Sequence, residues 1–156
     1  DTLCFVKHET DTWLEITTLL IPGENDSVEE VGQLCDWVAG KLGPDVPLHF
    51  TAFHADWKMR DIAPTPAATL RRARETALRA GLRYVYTGNV HDEAGQSTYC
   101  RACGSTLVGR DWYTITSWGL DAHGGCAACG ELCPGLFDAL PGRWGAKRAP
   151  VAIAAA

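Results

Sequence analysis

The fold is decided by the stretch Trp13-Leu-Glu-Ile-Thr-Thr-Leu-Leu-Ile21-Pro22-Gly23. Its β-branched and apolar residues are typical of a buried strand, and the Pro-Gly pair ends that strand in a loop. The segment Ser27-Val-Glu-Glu30 follows. A serine with a glutamate three residues later has the spacing of a capping box, which marks the start of a helix. The order is therefore strand, loop and helix.

The same alternation continues along the chain. Apolar residues after Ser27 recur at helical spacing and stop before Gly43, which predicts a helix over residues 28–41. A second strand-like run occupies residues 48–54 and is entered through Pro47. The chain thus returns to a strand directly after the helix.

A second helix and a third strand complete this pattern. We expect Thr65 to be the N-cap of the second helix and Pro66 its first residue, because proline is favoured at that position. Gly81 follows the last apolar residue of the helical pattern, in the position where a positive φ commonly ends a helix. Residues 82–87 then form the third strand.

Strands that alternate with helices of this length imply βαβ crossovers and a parallel α/β sheet with its helices on the outside. Three strands cannot close a barrel, so the sheet is expected to be a small open one or the last part of a larger barrel. In both architectures ligands bind at the carboxyl ends of the strands. Those ends are residues 22–26, His54 with the loop after it, and residues 88–89.

The character of the sequence changes between residues 91 and 97. Glycines become frequent, and five of the seven cysteines fall between Cys100 and Cys133. We therefore divide the chain into an α/β region over residues 1–92 and a cysteine-rich subdomain over residues 93–145. The Ala-rich segment 146–156 is predicted to be a disordered tail.

Two C-x2-C-Gly pairs stand out in the cysteine-rich part, Cys100-Arg-Ala-Cys103-Gly104 and Cys126-Ala-Ala-Cys129-Gly130, with 22 residues between Cys103 and Cys126. Two residues between thiolates let both sulfurs reach one ion, and the glycine permits a turn whose N–H groups point at the sulfur. The pattern predicts a structural four-cysteine site of the zinc-ribbon type. Zinc is the expected ion, and iron is the alternative.

Residues 106–118 resemble strand material broken at residues 109–111, as expected of a hairpin between the two pairs. Disulfides and unrelated buried thiols are the alternatives to a metal site, and a reducing compartment and the paired spacing disfavour them. Cys133 extends the second pair to C-x2-C-x3-C, which invites comparison with iron–sulfur proteins. A closed four-coordinate site has no place for a fifth thiolate, so we expect Cys133 to be a small buried hydrophobe.

The charge balance excludes some classes of protein. The 156 residues carry 19 acidic and 14 basic side chains without a basic run, which disfavours binding to nucleic acid or to a membrane surface. No window approaches 18 uncharged apolar residues, and the first residues lack a signal-peptide pattern. We expect a cytoplasmic protein. The chain starts without methionine and within an apolar helical pattern, which suggests a piece of a longer protein.

Several stretches, in a specific order, resemble the C-terminal part of a radical S-adenosylmethionine (SAM) enzyme. The resemblance is to the AmmeMemoRadiSam system group, which is similar to pyruvate formate-lyase activating enzymes. The segments that carry it are residues 8–27, Pro47-Leu-His-Phe-Thr-Ala-Phe-His54 with Trp57-Lys-Met59, Tyr84-Val-Tyr-Thr-Gly-Asn89, and the two C-x2-C-Gly pairs.

In such enzymes a partial (β/α)6 barrel holds a [4Fe-4S] cluster on a C-x3-C-x2-C loop, and reductive cleavage of SAM gives a 5′-deoxyadenosyl radical that abstracts hydrogen. The resemblance implies that the three strands are the last three βα units of that barrel and that the cysteine pairs are its metal knuckle. It also implies that His54 contacts the SAM ribose and that Ile21 and Asn25 lie by the adenine.

One departure limits what this chain can do alone. The motif C-x3-C-x2-C is absent from the 156 residues, so the cluster and the first half of the barrel are expected to lie outside them, and the chain alone is expected to be inactive. The substrate is not readable, and a protein is one candidate. The alternative from another class is a zinc-ribbon binding module that docks a protein or a nucleic acid.

Overall fold

A computed structural model describes residues 1–142, which form a parallel three-stranded sheet with helices and an antiparallel three-stranded ribbon. The predicted tail over residues 146–156 and the last residues of the predicted subdomain, 143–145, lie outside the described residues. Within them, every helix is too short or too polar to cross a bilayer. In chain order the elements are α1 (Thr2–Glu9), β1 (Ile16–Leu20), α2 (Val28–Lys41), β2 (Leu48–Ala52), α3 (Ala67–Arg79), β3 (Val85–Gly88), α4 (Glu93–Gln96), β4 (Thr98–Tyr99), β5 (Thr106–Asp111) and β6 (Thr114–Trp118).

Helix α2 has the bounds that its sequence predicts, residues 28–41. The Ser27 hydroxyl accepts a hydrogen bond from the Glu30 N–H at 3.2 Å and donates one to the Glu30 carboxylate at 2.9 Å. These bonds satisfy one of the N–H groups that a helix start leaves unpaired. The predicted N-terminal cap is thereby confirmed.

The start of α3 differs from the prediction. Pro66, and not Thr65, is its N-cap, and it makes no side-chain cap bond. The Thr65 hydroxyl instead accepts from the Phe53 N–H at 3.0 Å and donates to the Leu20 carbonyl at 2.6 Å. Thr65 is unavailable as a cap because it joins the ends of β1 and β2.

The end of α3 matches the prediction. Gly81 has a φ of +94° and donates its N–H to the Leu78 carbonyl at 3.1 Å. The next residue, Leu82, donates to the Ala77 carbonyl at 3.1 Å. The two bonds form a Schellman motif, which requires the left-handed conformation that glycine adopts at little cost.

The first sheet has the order β1-β2-β3 with both pairs parallel, which confirms the predicted parallel sheet. Side chains from α2, α3 and one face of the sheet share a single core, and its largest fully buried residues include Phe50, Leu20, Leu48 and Leu70. The two helices therefore cover the same face. On the other face Leu19 remains 44% exposed.

The ribbon hairpin turns later than the sequence predicts. Strand β5 continues to Asp111 and β6 begins at Thr114, so the turn is Trp112-Tyr113, with a φ of +52° at Trp112. The predicted break at residues 109–111 is instead an irregularity in the pairing of β5 with β6, next to Gly109. A Cβ at Gly109 would lie 2.3 Å from the Ser117 Oγ, so this glycine permits close strand packing rather than a turn.

The ribbon packs against the open face of the parallel sheet, beside β3. Its core contains Leu107, Val108 and Leu120 and is joined by Tyr84, which directly precedes β3. Arg101 of the ribbon also lies 3.4 Å from the carboxylate of Asp45, between α2 and β2. The predicted boundary at residues 92 and 93 falls where α4 begins, since Asp92 is its N-cap.

Candidate metal centre

The first cysteine pair forms a tight turn after β4. The Cys100 N–H donates to the Ser105 carbonyl at 2.8 Å, and the Gly104 N–H donates back to the Cys100 carbonyl at 2.9 Å. Gly104 has a φ of +74° and open space where a Cβ would stand, so backbone conformation alone favours glycine there. The turn places the side chains of Cys100 and Cys103 on one side.

The second pair repeats this turn bond for bond. The Cys126 N–H donates to the Glu131 carbonyl at 2.8 Å, the Gly130 N–H donates to the Cys126 carbonyl at 2.7 Å, and Gly130 has a φ of +78°. Equivalent sequences in two places have therefore formed equivalent knuckles. The glycine after each pair has the positive φ that its position in sequence predicts.

The hairpin brings the two knuckles together. All four cysteine sulfurs lie within 4.8 Å of one another, with Cys100 and Cys129 separated by 3.6 Å and Cys103 and Cys126 by 3.7 Å. A tetrahedral zinc site with bonds of about 2.3 Å would place its sulfurs about 3.8 Å apart, whereas a disulfide needs about 2.05 Å. All seven cysteines are free thiols. The four clustered cysteines could hold a metal ion.

Electrostatics also favour a cation at this position. A hydrogen bond with the Ser105 hydroxyl is the main reason why the pKa of Cys103 is lowered to about 6. The Glu131 N–H lowers the pKa of Cys129, but hydrogen bonds with the other cysteines outweigh it and raise that pKa to about 12. Four sulfurs this close cannot all be thiolates unless a positive charge neutralises them.

Two of the four cysteines are buried and two are exposed. Cys100 and Cys126 are buried, while Cys103 and Cys129 are exposed. The first residue of each pair therefore anchors its knuckle in the ribbon core, and the second closes the site from the solvent side. Four cysteine ligands would fill a tetrahedral coordination sphere, which is typical of a structural site.

An ion pair joins the two knuckles beside the sulfurs. Arg101, between the first two cysteines, contacts the Glu131 carboxylate, which follows the second pair. The same arginine reaches Asp45, and Asp45 also pairs with Arg83 at 2.9 Å. Arg101 thus connects both knuckles to the α/β layer. Its guanidinium also adds positive charge near the cysteine cluster.

The remaining candidate ligands lie outside the cluster. Cys133 is 7% exposed and packs in the ribbon core, as expected of a buried hydrophobe, and burial is the main cause that raises its pKa. His123 is exposed in the loop before the second pair. Among the described residues, the cluster of potential metal ligands contains only the four paired cysteines.

The residues expected at the SAM-binding edge are separate from the metal centre. β1 and β2 pair Leu20 with Ala52, so Ile21 and His54 follow their strands at the same edge of the sheet. The Asn25 amide is engaged in its own loop, where it accepts from the Ile21 N–H at 2.8 Å and donates to the Leu19 carbonyl at 3.0 Å. The His54 side chain is exposed.

Sequence reasoning missed a second group of polar side chains, on the sheet face that the helices leave open. His49 contacts Glu15 there and stacks on Tyr86, its partner in the next strand. The available signal was the alternation in β2, which directs His49 away from the helices. Arg110 of the ribbon also belongs to this group, because its guanidinium lies 5.9 Å from the centroid of the Tyr86 ring. Nothing in the sequence indicates that contact.

Comparison with known proteins identifies a similar protein. No family model matches the chain, and no solved structure matches it. An uncharacterized protein of Methanocaldococcus jannaschii is 39% identical over 129 residues, which cover 82% of this chain and 39% of that protein. The chain therefore spans about two fifths of the length of the curated relative that it matches.

Proposed function

We propose that the four cysteines hold one structural zinc ion. The observation that carries this proposal is the clustering of four sulfurs from two equivalent knuckles within 4.8 Å. Four thiolates fill the tetrahedral coordination of zinc and leave no position for substrate, so the ion would stabilise the ribbon rather than perform chemistry. Cys100, Cys103, Cys126 and Cys129 would be its ligands.

The zinc proposal is tested by elemental analysis of the purified chain. We expect one zinc per chain, lost when Cys126 is replaced by Ser. The matched control is Cys4→Ser, a half-buried thiol of α1 outside the cluster, which should retain the metal. One iron per chain would support the four-cysteine metal site but would show that its ion is iron and not zinc. Absence of metal, or full metal content in Cys126→Ser, would refute the proposal.

We also propose that the α/β layer is the last three βα units of a radical SAM barrel, and that the whole protein is an enzyme with an unidentified substrate. The support is the sequence resemblance, together with a parallel βαβαβ order that brings Ile21 and His54 to one carboxyl edge. This chain does not supply the [4Fe-4S] site, because it lacks the C-x3-C-x2-C motif. Its own residues would contribute to SAM binding, with His54 near the ribose and Ile21 and Asn25 near the adenine. Free thiols fit a reducing compartment, and we propose the cytoplasm.

The gene sequence upstream of Asp1 tests the enzyme proposal. A C-x3-C-x2-C motif followed by further βα units is expected. The longer protein, reconstituted anaerobically with iron and sulfide, should then cleave SAM to 5′-deoxyadenosine and methionine, while residues 1–156 alone should not. An unrelated upstream sequence, or a longer protein that leaves SAM intact, would exclude this proposal and favour a zinc-ribbon binding module.

A further inference from the structure

A cavity of about 570 Å³ lies between the open face of the parallel sheet and the ribbon. The sheet side contributes Glu15, His49 and Tyr86, and the ribbon side contributes Arg110 and Trp112. Its volume falls within the range of about 300–1,000 Å³ that is usual for small-molecule sites. The clustered cysteines and the residues Ile21, Asn25 and His54 are not among its lining residues, whereas Gly88 and Asn89, at the carboxyl end of β3, are.

Arg110 supplies a fixed positive charge at this cavity. One guanidinium nitrogen, Nη1, donates to the Thr98 hydroxyl at 2.8 Å and to the Gln96 carbonyl at 3.3 Å. The ion pairs formed within residues 1–142 do not include Arg110. A guanidinium has five N–H donors in a planar fork, so Nε and Nη2 can still bind a carboxylate.

Aromatic rings form the walls beside that charge. The guanidinium carbon of Arg110 lies 5.9 Å from the centroid of the Tyr86 ring, and the Tyr86 hydroxyl shares a 3.0 Å hydrogen bond with Thr98. Trp13, Trp112 and Phe137 also line the space. Flat aromatic walls favour a planar ring by offset or edge-to-face packing.

The sheet contributes a second polar group. The Nε2 of His49 lies 2.8 Å from the Glu15 carboxylate, and the imidazole stacks on Tyr86 with the ring centroids 4.9 Å apart. This pair can exchange hydrogen bonds with a polar ring substituent. Arg110 can neutralise one negative charge of a ligand, whereas the Glu15 carboxylate repels negative charge. The cavity therefore suits an acid with a single carboxylate better than a dianion.

We propose that this cavity binds a small aromatic monocarboxylic acid, with its carboxylate on Arg110 and its ring between the aromatic walls. The inference does not depend on the zinc proposal, because none of the four clustered cysteines lines the cavity; it does not depend on a SAM role for Ile21, Asn25 or His54 either, although the cavity reaches the carboxyl end of β3 at Gly88 and Asn89. A purely structural role for Arg110, in which it only ties the ribbon to Tyr86, leads to a different expectation: such a cavity would not distinguish an acid from its amide.

The test compares indole-3-acetate with its uncharged analogue indole-3-acetamide. Each is titrated into the purified, ¹⁵N-labelled chain, and amide shifts are followed at cavity residues such as Gly88 and Gln96. We expect the acid to bind about tenfold more tightly than the amide, as is typical when one charge-assisted hydrogen bond is gained. Equal affinity of the two compounds, or no shift change at the cavity, would overturn the proposal.

Two variants locate the effect. Arg110→Gln should bring the affinity for the acid down to that for the amide, whereas Arg60→Gln, which removes the same charge from an exposed loop, should leave the affinity for the acid unchanged. An unaltered preference for the acid in Arg110→Gln would refute the role of this arginine. Should Arg110→Gln fail to fold, the comparison of acid with amide on the unmodified chain still decides the proposal.

Discussion

The sulfur atoms of Cys100 and Cys129 lie 3.6 Å apart, although 29 positions separate the two residues in the sequence. The intervening hairpin of β5 and β6 holds their knuckles side by side. Closing a chain segment of this length costs conformational entropy, and an ion bound only by the folded ribbon would offset that cost. The stability of the ribbon is therefore expected to depend on its metal.

Metal removal should consequently affect the two layers unequally. We expect a strong chelator under reducing conditions to collapse the amide dispersion of residues 98–133, while the core of α2, α3 and the parallel sheet stays folded, because that core contains no cysteine of the cluster. Two-dimensional ¹H–¹⁵N NMR before and after chelation provides the measurement. Simultaneous loss of both sets of signals would contradict the prediction, as would a ribbon that keeps its dispersion without metal.

Replacement of Cys133 separates packing from ligation. Cys133→Ala should retain a full complement of metal, because its thiol lies in the ribbon core outside the cluster. It should lower the free energy of unfolding by about 1 kcal/mol, the usual size of a small core truncation. Elemental analysis and urea denaturation check the two parts. Metal loss comparable to that of Cys126→Ser would show that Cys133 belongs to the site.

Two glycines of the ribbon should respond differently to alanine. A Cβ at Gly119 would lie 2.3 Å from the Thr106 carbonyl oxygen, so Gly119→Ala has to displace backbone and should cost up to about 3 kcal/mol. Gly104→Ala meets open space and should cost only the strain of its φ of +74°, about 1–2 kcal/mol. Thermal or urea unfolding of both variants gives the order. A larger loss in Gly104→Ala would contradict the prediction.

The parts of the fold that were predictable from sequence depend on neighbouring residues. The start of α2 follows from Ser27 and Glu30, three positions apart, and the end of α3 follows from the conformational freedom of Gly81. The four cysteines were also found, because a metal knuckle needs a fixed short spacing. In each case the decisive physics acts over fewer than about six residues.

The parts that were missed depend on contacts between distant segments. Thr65 has the sequence context of an N-cap, yet its hydroxyl donates a hydrogen bond to the carbonyl of Leu20, 45 positions away. Gly109 resembles a turn residue but serves the packing of β5 against Ser117. The cavity needs the sheet and the ribbon to meet, so neither segment alone indicates that Arg110 faces Tyr86.

The buried thiol of Cys35 should make stability fall at alkaline pH. Burial, with a smaller contribution from the Asp36 carboxylate, raises the pKa of Cys35 to about 11 from an ordinary value near 9.0. The folded state therefore holds its proton more tightly than the unfolded chain. Its contribution is complete below about pH 9 and is lost as the pH rises to about 11, by at most about 3 kcal/mol.

Urea denaturation in reducing buffer between pH 8 and 11 measures this dependence. Cys35→Ala should make the decline in the free energy of unfolding shallower, whatever its effect at neutral pH, and part of the decline should remain because burial also raises the pKa of Tyr86 and Cys133. Cys4→Ala, a substitution of the half-buried thiol in α1, serves as the matched control and should keep the decline of the unmodified chain. The same slope in the unmodified chain and in Cys35→Ala would assign the alkaline loss to other groups.

The Thr65 hydroxyl should contribute to the stability of the α/β layer, because it is 5% exposed and joins two strand ends to the start of α3. Thr65→Val keeps the shape of the side chain but removes the hydroxyl that binds both the Phe53 N–H and the Leu20 carbonyl, which leaves only the direct 3.3 Å bond between those two groups. Because that bond remains, the two groups stay partly satisfied, and we expect a loss of about 1–2 kcal/mol in unfolding free energy, the usual size of a lost buried hydrogen bond. The control is Thr17→Val, on the exposed face of β1, where a β-branched apolar residue should change stability by less than about 0.5 kcal/mol. Equal stability of the two variants would mean that the Thr65 hydroxyl does not hold the strand ends together.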